Sequence, residues 1–299
     1  MFPDRFCDEL GFNGVMIKKF ISAARFLTRR DSPGRLLKTL PDDTFLVSYP
    51  KSGNTWLRFL VANLVQPDPP VTLVGADLLI PAVDGQSKKH FNQMPTPRII
   101  KSHYPFLESC KRVIYVVRDP RDVVLSQYHY QIKRGVLAPG APLDAFVERF
   151  LEGGVCPYGS WWENVASWLG ARSRDPQFLL VRYEDMQADI LKETERVARF
   201  IGIAADSGRF ATAIERSSAR HMRELEKAER NRWASTKGTR QDMFFIRSAT
   251  SGEGRATLPP QCLEQIETAW GTLMSSLGYT LLGDHRAQDH ENLPSRVLS

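Results

Sequence analysis

Two short stretches of this chain carry residues whose types and spacing suit the handling of a phosphorylated ligand. The first is Tyr49-Pro-Lys-Ser-Gly-Asn-Thr-Trp56, which follows the apolar run Thr44–Ser48. A strand that feeds a small-residue turn at a helix N-terminus aims backbone N–H groups and the positive end of the helix dipole at one point. Lys51 adds a full charge there, Ser52, Asn54 and Thr55 add donors, and Gly53 lets the backbone approach closely. The second is Arg112-Val-Ile-Tyr-Val-Val-Arg-Asp-Pro-Arg-Asp-Val-Val-Leu-Ser126. Here Arg118 leaves the C-terminal end of a strand, Pro120 suits the first turn of a helix, and Ser126 lies about two turns into it. An Arg fork with a hydroxyl clamps phosphate well. Arg121 and Asp122 read as a surface ion network.

His103 follows the strand predicted over Arg98–Lys101 and is the histidine placed at a strand's carboxyl end. Its ordinary pKa near neutrality suits proton transfer. His90, His129, His221, His285 and His290 have no comparable setting.

These residues must be positioned by a parallel sheet, because ligands of open α/β sheets bind outside the carboxyl ends of the strands. Short β-rich runs alternate with helical periodicity from residue 42 onward. Strands are predicted at Thr44–Ser48, Arg98–Lys101, Arg112–Val117 and Gln177–Arg182. Helices are predicted at Gly53–Val65, Arg121–Arg134, Leu143–Glu152, Ser160–Ala171, Gln187–Ile201 and Pro259–Leu277. Residues 66–97 and 228–256 read as long irregular binding loops. The expected organisation is an N-terminal helical extension over 1–41, one domain over 42–282 and a flexible tail over 283–299.

Composition narrows the class. Lys plus Arg number 40 against 34 Asp plus Glu, a net charge of +6 that favours an anionic partner. The four cysteines are scattered, which excludes a disulfide framework and a zinc-like cluster, so no metal site is expected. No stretch reaches the roughly 18 apolar residues of a membrane span, and Asp4, Asp8 and Glu9 stand where a signal peptide carries positive charge. The chain reads as cytoplasmic. Residues 11–30 form a basic amphipathic pattern that either docks on the body of the protein or touches an anionic membrane surface. The ATPase signature GxxxxGK[ST] and its Mg²⁺-binding Asp are absent, and no nucleic-acid recognition motif is present.

The motifs together resemble those of the cytosolic-type sulfotransferases, which use 3′-phosphoadenosine 5′-phosphosulfate (PAPS). Tyr49–Trp56 and Val113–Ser126 resemble that family's two cofactor motifs. The likeness continues through Pro97–Pro105, Tyr158–Trp161, Tyr183–Met186 and, more weakly, Phe245–Arg255. A bacterial-type member is expected. The resemblance implies a P-loop-containing, three-layer α/β/α fold with a central, mainly parallel sheet, and in-line sulfuryl transfer to a hydroxyl or amine.

By the same resemblance His103 is the general base, Lys51 stabilises the departing phosphate, and Lys101 either approaches the sulfuryl group or caps a strand end. Lys51, Ser52, Gly53, Asn54 and Thr55 hold the 5′-phosphosulfate, and Trp56 stacks on adenine. Arg118 and Ser126 hold the 3′-phosphate. Tyr183 and Ser217 contact the base, and Ala219 stands where the animal enzymes place an aromatic. Arg247, Ser248 and Ala249 complete the 3′-phosphate clamp, although the loop has lost a Lys, a Gly and a Trp, which predicts weaker cofactor binding.

The acceptor pocket is expected among residues 66–97, Tyr104, Phe106, Tyr158 and Trp161, and 228–246, with Trp162 in the core. An aromatic mouth favours a planar or apolar small molecule. Arg230, Arg232, Lys237 and Arg240 favour an anionic or glycan acceptor. The oligomeric state is open. A P-loop nucleotide kinase and a non-catalytic nucleotide binder stand as alternatives; a binder has no use for a base such as His103.

Overall fold

The β-rich runs become four strands: β1 (Thr44–Ser48), β2 (Ile99–Ser102), β3 (Arg112–Val117) and β4 (Phe178–Arg182). All pair in parallel in the order β2-β1-β3-β4. They belong to a computed structural model that describes residues 37–204 and 206–283. The expected extension over 1–41, its basic segment 11–30 and the tail over 283–299 therefore lie almost wholly outside the described residues. From β1 the chain crosses to β2 on one side, and β3 adds on the other. That change of direction opens a crevice at the carboxyl ends of the strands.

The described helices are, in order, α1 (Asn54–Val65), α2 (Leu73–Leu79), α3 (Lys88–Gln93), α4 (Pro120–Lys133), α5 (Leu143–Leu151) and α6 (Trp161–Arg172). After β4 come α7 (Tyr183–Ala188), α8 (Ile190–Ile201), α9 (Ser207–Arg216), α10 (Ala219–Glu229), α11 (Glu253–Thr257) and α12 (Pro260–Ser276). On one face of the sheet Leu46, Ile114, Val116 and Val181 pack with α1, with Val197 and Ala198 of α8, and with Ala213 of α9. On the other, the Tyr115 hydroxyl donates to Asn164 of α6, and its ring lies 6.1 Å from that of Trp168. Trp161 stacks on Trp270 of α12 at 5.5 Å, closing the third layer. Alternation along each strand thus feeds two cores, which is why these strands read as continuous apolar runs.

Several elements differ from expectation. The segment 66–97 is not wholly irregular, since Thr72 and Ser87 cap α2 and α3 through their side chains. The helix expected over Gln187–Ile201 is broken at Asp189, whose carboxylate caps α8 by accepting from the Lys192 N–H. α9 and α10 were not expected. Both are amphipathic, burying Ala213 and Met222 in the core with Phe210, Ile214 and Leu225 packed against it, and most of their stability comes from that packing.

Candidate active site

The turn after β1 is built from two left-handed residues, Lys51 (φ 70°) and Gly53 (φ 100°). A Cβ on Gly53 would sit 2.5 Å from Cδ2 of Tyr183, so only glycine fits between the turn and that ring. No side chain caps α1 behind it, which leaves its first N–H groups to a ligand. Asn54 donates to the Leu46 carbonyl at 3.2 Å and ties the turn to the strand. Ser52 is buried with an unpartnered hydroxyl and does not line the cavity in front of the turn.

That cavity has a volume of about 470 Å³ and is bordered by every other residue that the sequence assigned to cofactor or catalysis. At one end Trp56 meets Tyr183 edge-on at 5.4 Å, and the buried Ser217 hydroxyl lacks a partner. The Arg118 guanidinium lies 4.3 Å from the Tyr183 ring centroid and donates to the Thr250 carbonyl at 2.8 Å. Arg247 is held by Glu253 through two hydrogen bonds of 2.5 and 2.6 Å, and Ser248 donates to the same carboxylate at 2.7 Å. Ala249 adopts φ 55°, a left-handed conformation that costs a residue with a Cβ.

Arg121 and Asp122 are not a surface network, for each is only 2% exposed. Arg121 joins α4 to α12 by pairing with Asp119 and Glu267. Asp122 pairs with Arg118 and accepts from the N–H groups of Gly252 and Gly254 at 2.9 and 2.6 Å. A Cβ on Gly254 would fall 2.2 Å from the Arg121 carbonyl oxygen, so this loop closes on α4 through glycine alone.

His103 places Nδ1 2.8 Å from the Ser48 carbonyl oxygen. A carbonyl can only accept, so Nδ1 carries the proton and Nε2 holds the lone pair. Burial, then the nearby Lys101 charge, push the imidazole pKa well below its ordinary value of 6.5. Lys101 is pushed down to about 8 by burial and then by Arg58. Lys51 falls to about 7 through burial and then Arg118, with Glu226 opposing. Its Nζ lies 3.8 Å from the Phe245 ring centroid and 4.5 Å from that of Tyr130, a cation–π contact with both.

The acceptor side corrects several expectations. Trp161, expected at the pocket edge, is fully buried and donates to the Arg118 carbonyl at 3.2 Å, whereas Trp162, expected in the core, is 45% exposed; neither lines the cavity. Phe106 packs on Trp168 at 5.3 Å, and the Tyr104 carbonyl accepts from that indole; neither residue lines the cavity. Tyr158 does line it: its hydroxyl donates to Asp84 at 2.9 Å and its ring lies 5.5 Å from that of His103. Arg230, Arg232, Lys237 and Arg240 stay off the cavity wall. Arg232 pairs with Glu229 and Arg240 with Asp242.

Sequence reasoning missed the residues that hold the covering segment. Glu226 accepts from the N–H groups of Phe245 and Ile246 at 2.5 and 3.0 Å. Lys133 donates to the carbonyls of Arg240 and Met243 at 2.9 and 2.6 Å. Their only sequence signal was a charge within an amphipathic helix. Among the described residues no cluster of metal-ligating side chains occurs, and no helix is long and apolar enough to cross a membrane.

A family model described as "Sulfotransferase domain" matches residues 41–278. Sulfotransferase 1E1 of Bos taurus is 33% identical over 236 residues, spanning 73% of this chain and 77% of that protein. A crystal structure of a mouse sulfotransferase complexed with PAP superposes with a TM-score of 0.67 at 25% identity, covering 83% of this chain and 91% of that one. A retinol dehydratase complexed with androsterone and the inactive cofactor PAP shares the fold at 19% identity and a TM-score of 0.70, covering 84% and 85%. A bacterial-type affiliation finds no support in these relatives.

Proposed function

The chain belongs to the sulfotransferase family, and from that premise we propose that His103 activates a small-molecule hydroxyl or amine for PAPS-dependent sulfuryl transfer. The observation that carries this reading is the meeting, in one cavity, of the uncapped phosphate turn and a histidine whose Nδ1 is committed to Ser48. The kinase and binder alternatives lose their ground with the family match.

The residues present fit a doubly phosphorylated nucleotide. The open first turn of α1 and the orphaned Ser217 hydroxyl each ask for a ligand partner. Lys51 and the Gly53–Thr55 turn would hold the 5′ end, Trp56, Tyr183 and Ser217 the base, and Arg118, Ser126 and Arg247–Ala249 the 3′-phosphate. Arg247 would exchange its Glu253 partner for that phosphate. When bound, PAPS supplies an activated sulfuryl group on a good leaving phosphate.

His103 Nε2 would accept the acceptor's proton as its oxygen or nitrogen attacks sulfur. Its depressed pKa keeps it unprotonated at neutral pH, ready to act as a base. Lys51 would meet the charge that develops on the leaving phosphate, where a buried ammonium counts for most. Lys101 lines the same wall and adds positive potential. Ser52 lies behind the turn and off the cavity wall, so no contact with the ligand is assigned to its hydroxyl. A single domain over 42–282 in the cytoplasm is part of this proposal.

The test is adenosine 3′,5′-bisphosphate binding by thermal shift, with labelled PAPS and an acceptor panel read by mass spectrometry. His103→Ala is expected to abolish transfer while leaving bisphosphate binding largely intact. Absence of any thermal shift in the wild type would sink the assignment.

A further inference from the structure

The face of α4 that lines the cavity beyond Ser126 carries Gln127, Tyr130, Gln131 and Arg134, the i, i+3, i+4 and i+7 positions of one helical stripe. Gln127 is only 2% exposed, yet its carboxamide makes no hydrogen bond among the described residues, and its Nε2 is wholly buried. Gln131 is oriented by donating from Nε2 to the Val155 carbonyl at 3.0 Å, which leaves its Oε1 buried and unpartnered. A buried polar atom without a partner is costly, and two residues of the cavity lining hold one each, Gln127 Nε2 and Gln131 Oε1, which a ligand that draws these side chains toward it would satisfy.

The stripe lies in the acceptor half of the cavity. Val155 leads directly into Tyr158, whose ring packs against His103. The base, the 155–158 turn and the glutamine stripe are thereby linked along the cavity lining. At the outer end the exposed Arg134 guanidinium lies 5.8 Å from the Tyr130 ring centroid and pairs with no carboxylate among the described residues.

Resting on the proposed transferase reading, we infer that Gln127, Gln131 and Arg134 select a polar acceptor: an alcohol or phenol that bears a second hydroxyl and a carboxylate. Gln127 and Gln131 bond the hydroxyls, and Arg134 meets the carboxylate at the rim. A purely apolar alcohol would strand both amides and is disfavoured.

The experiment compares kcat/KM for 3,4-dihydroxybenzoate, its methyl ester and androsterone in the wild type, Gln127→Leu and Arg134→Gln, with bisphosphate binding measured for each. The wild type is expected to favour the dihydroxybenzoate. Gln127→Leu lowers its kcat/KM about 10- to 100-fold without lowering that for androsterone. Arg134→Gln, at an exposed position that folding tolerates, weakens use of the acid but not of the ester. A wild type that prefers androsterone, or variants with unchanged selectivity, would overturn the inference while bisphosphate binding keeps the underlying reading intact. Loss of bisphosphate binding in the wild type sinks that reading, and this inference with it.

Discussion

Asp122 and Gly254 are joined by a 2.6 Å hydrogen bond from the glycine N–H to the carboxylate, across 132 residues of chain. The same carboxylate holds Gly252 and Arg118. One buried acid therefore orients Arg118, the arginine proposed to hold the 3′-phosphate, and locks down the loop that carries Arg247 and Ala249.

Replacing that acid should be felt twice. Asp122→Ala leaves Arg118 and two backbone donors unpaired in the interior, and stability should fall by about 3 kcal/mol. Bisphosphate affinity should drop at least tenfold because both phosphate clamps lose their anchor. Urea unfolding and calorimetry of the same variant check the two effects, and an unchanged affinity would detach the loop from the site.

On the proposed assignment, Lys51 should set the pH dependence of cofactor binding. Its pKa in the free enzyme is pushed down to about 7, whereas a bound phosphate restores the charged form. Below pH 7 the ammonium is already present and its contribution is complete. As pH rises through 7 it must be recharged at the cost of proton uptake, so affinity should fall by up to about tenfold per pH unit. Calorimetry in buffers of different ionisation enthalpy would register that uptake, and Lys51→Met should abolish it.

His103 should set the acid limb of the rate. Its pKa lies well below 6.5, so the imidazole is unprotonated at neutral pH, and the base role proposed for it would be lost only as pH falls through that depressed value. Lys101 contributes to the depression. Lys101→Met should move the acid limb of kcat/KM to higher pH, toward 6.5, as well as slowing transfer. A pH-rate profile that does not shift would separate Lys101 from the base.

Tyr158 and Asp84 close the acceptor side by a 2.9 Å hydrogen bond. Tyr158→Phe keeps the ring against His103 but releases this contact. KM for the acceptor should change several-fold while kcat is nearly preserved, because the base keeps its packing. A large loss of kcat with constant KM would instead place the hydroxyl in the chemistry.

Much of the scaffold was legible in the chain. The strands Thr44–Ser48 and Arg112–Val117 coincide with their predicted bounds, since parallel strands buried on both faces read as continuous apolar runs. The phosphate turn was legible for a local reason as well: its glycine, its lysine and the helix start are neighbours in sequence. The tryptophan pair was not legible. The capping box formed by Ser160 and Glu163 starts α6 so that Trp161 turns inward to Trp270 and Trp162 outward, and adjacent indoles offer no sequence cue for that choice.

The chain by itself determined the strand-turn-helix elements, the cluster of phosphate-binding residue types and the histidine at a strand end, because these depend on short-range order and on residue chemistry. Only the tertiary structure decided that Asp122 is an interior anchor, that Arg247 rests on Glu253, and that Gln127 Nε2 and Gln131 Oε1 are left without partners in residues that line the cavity. Each of those facts depends on a partner, or on the lack of one, set by packing between distant segments. Burial then converts ordinary polar side chains into groups that must be satisfied.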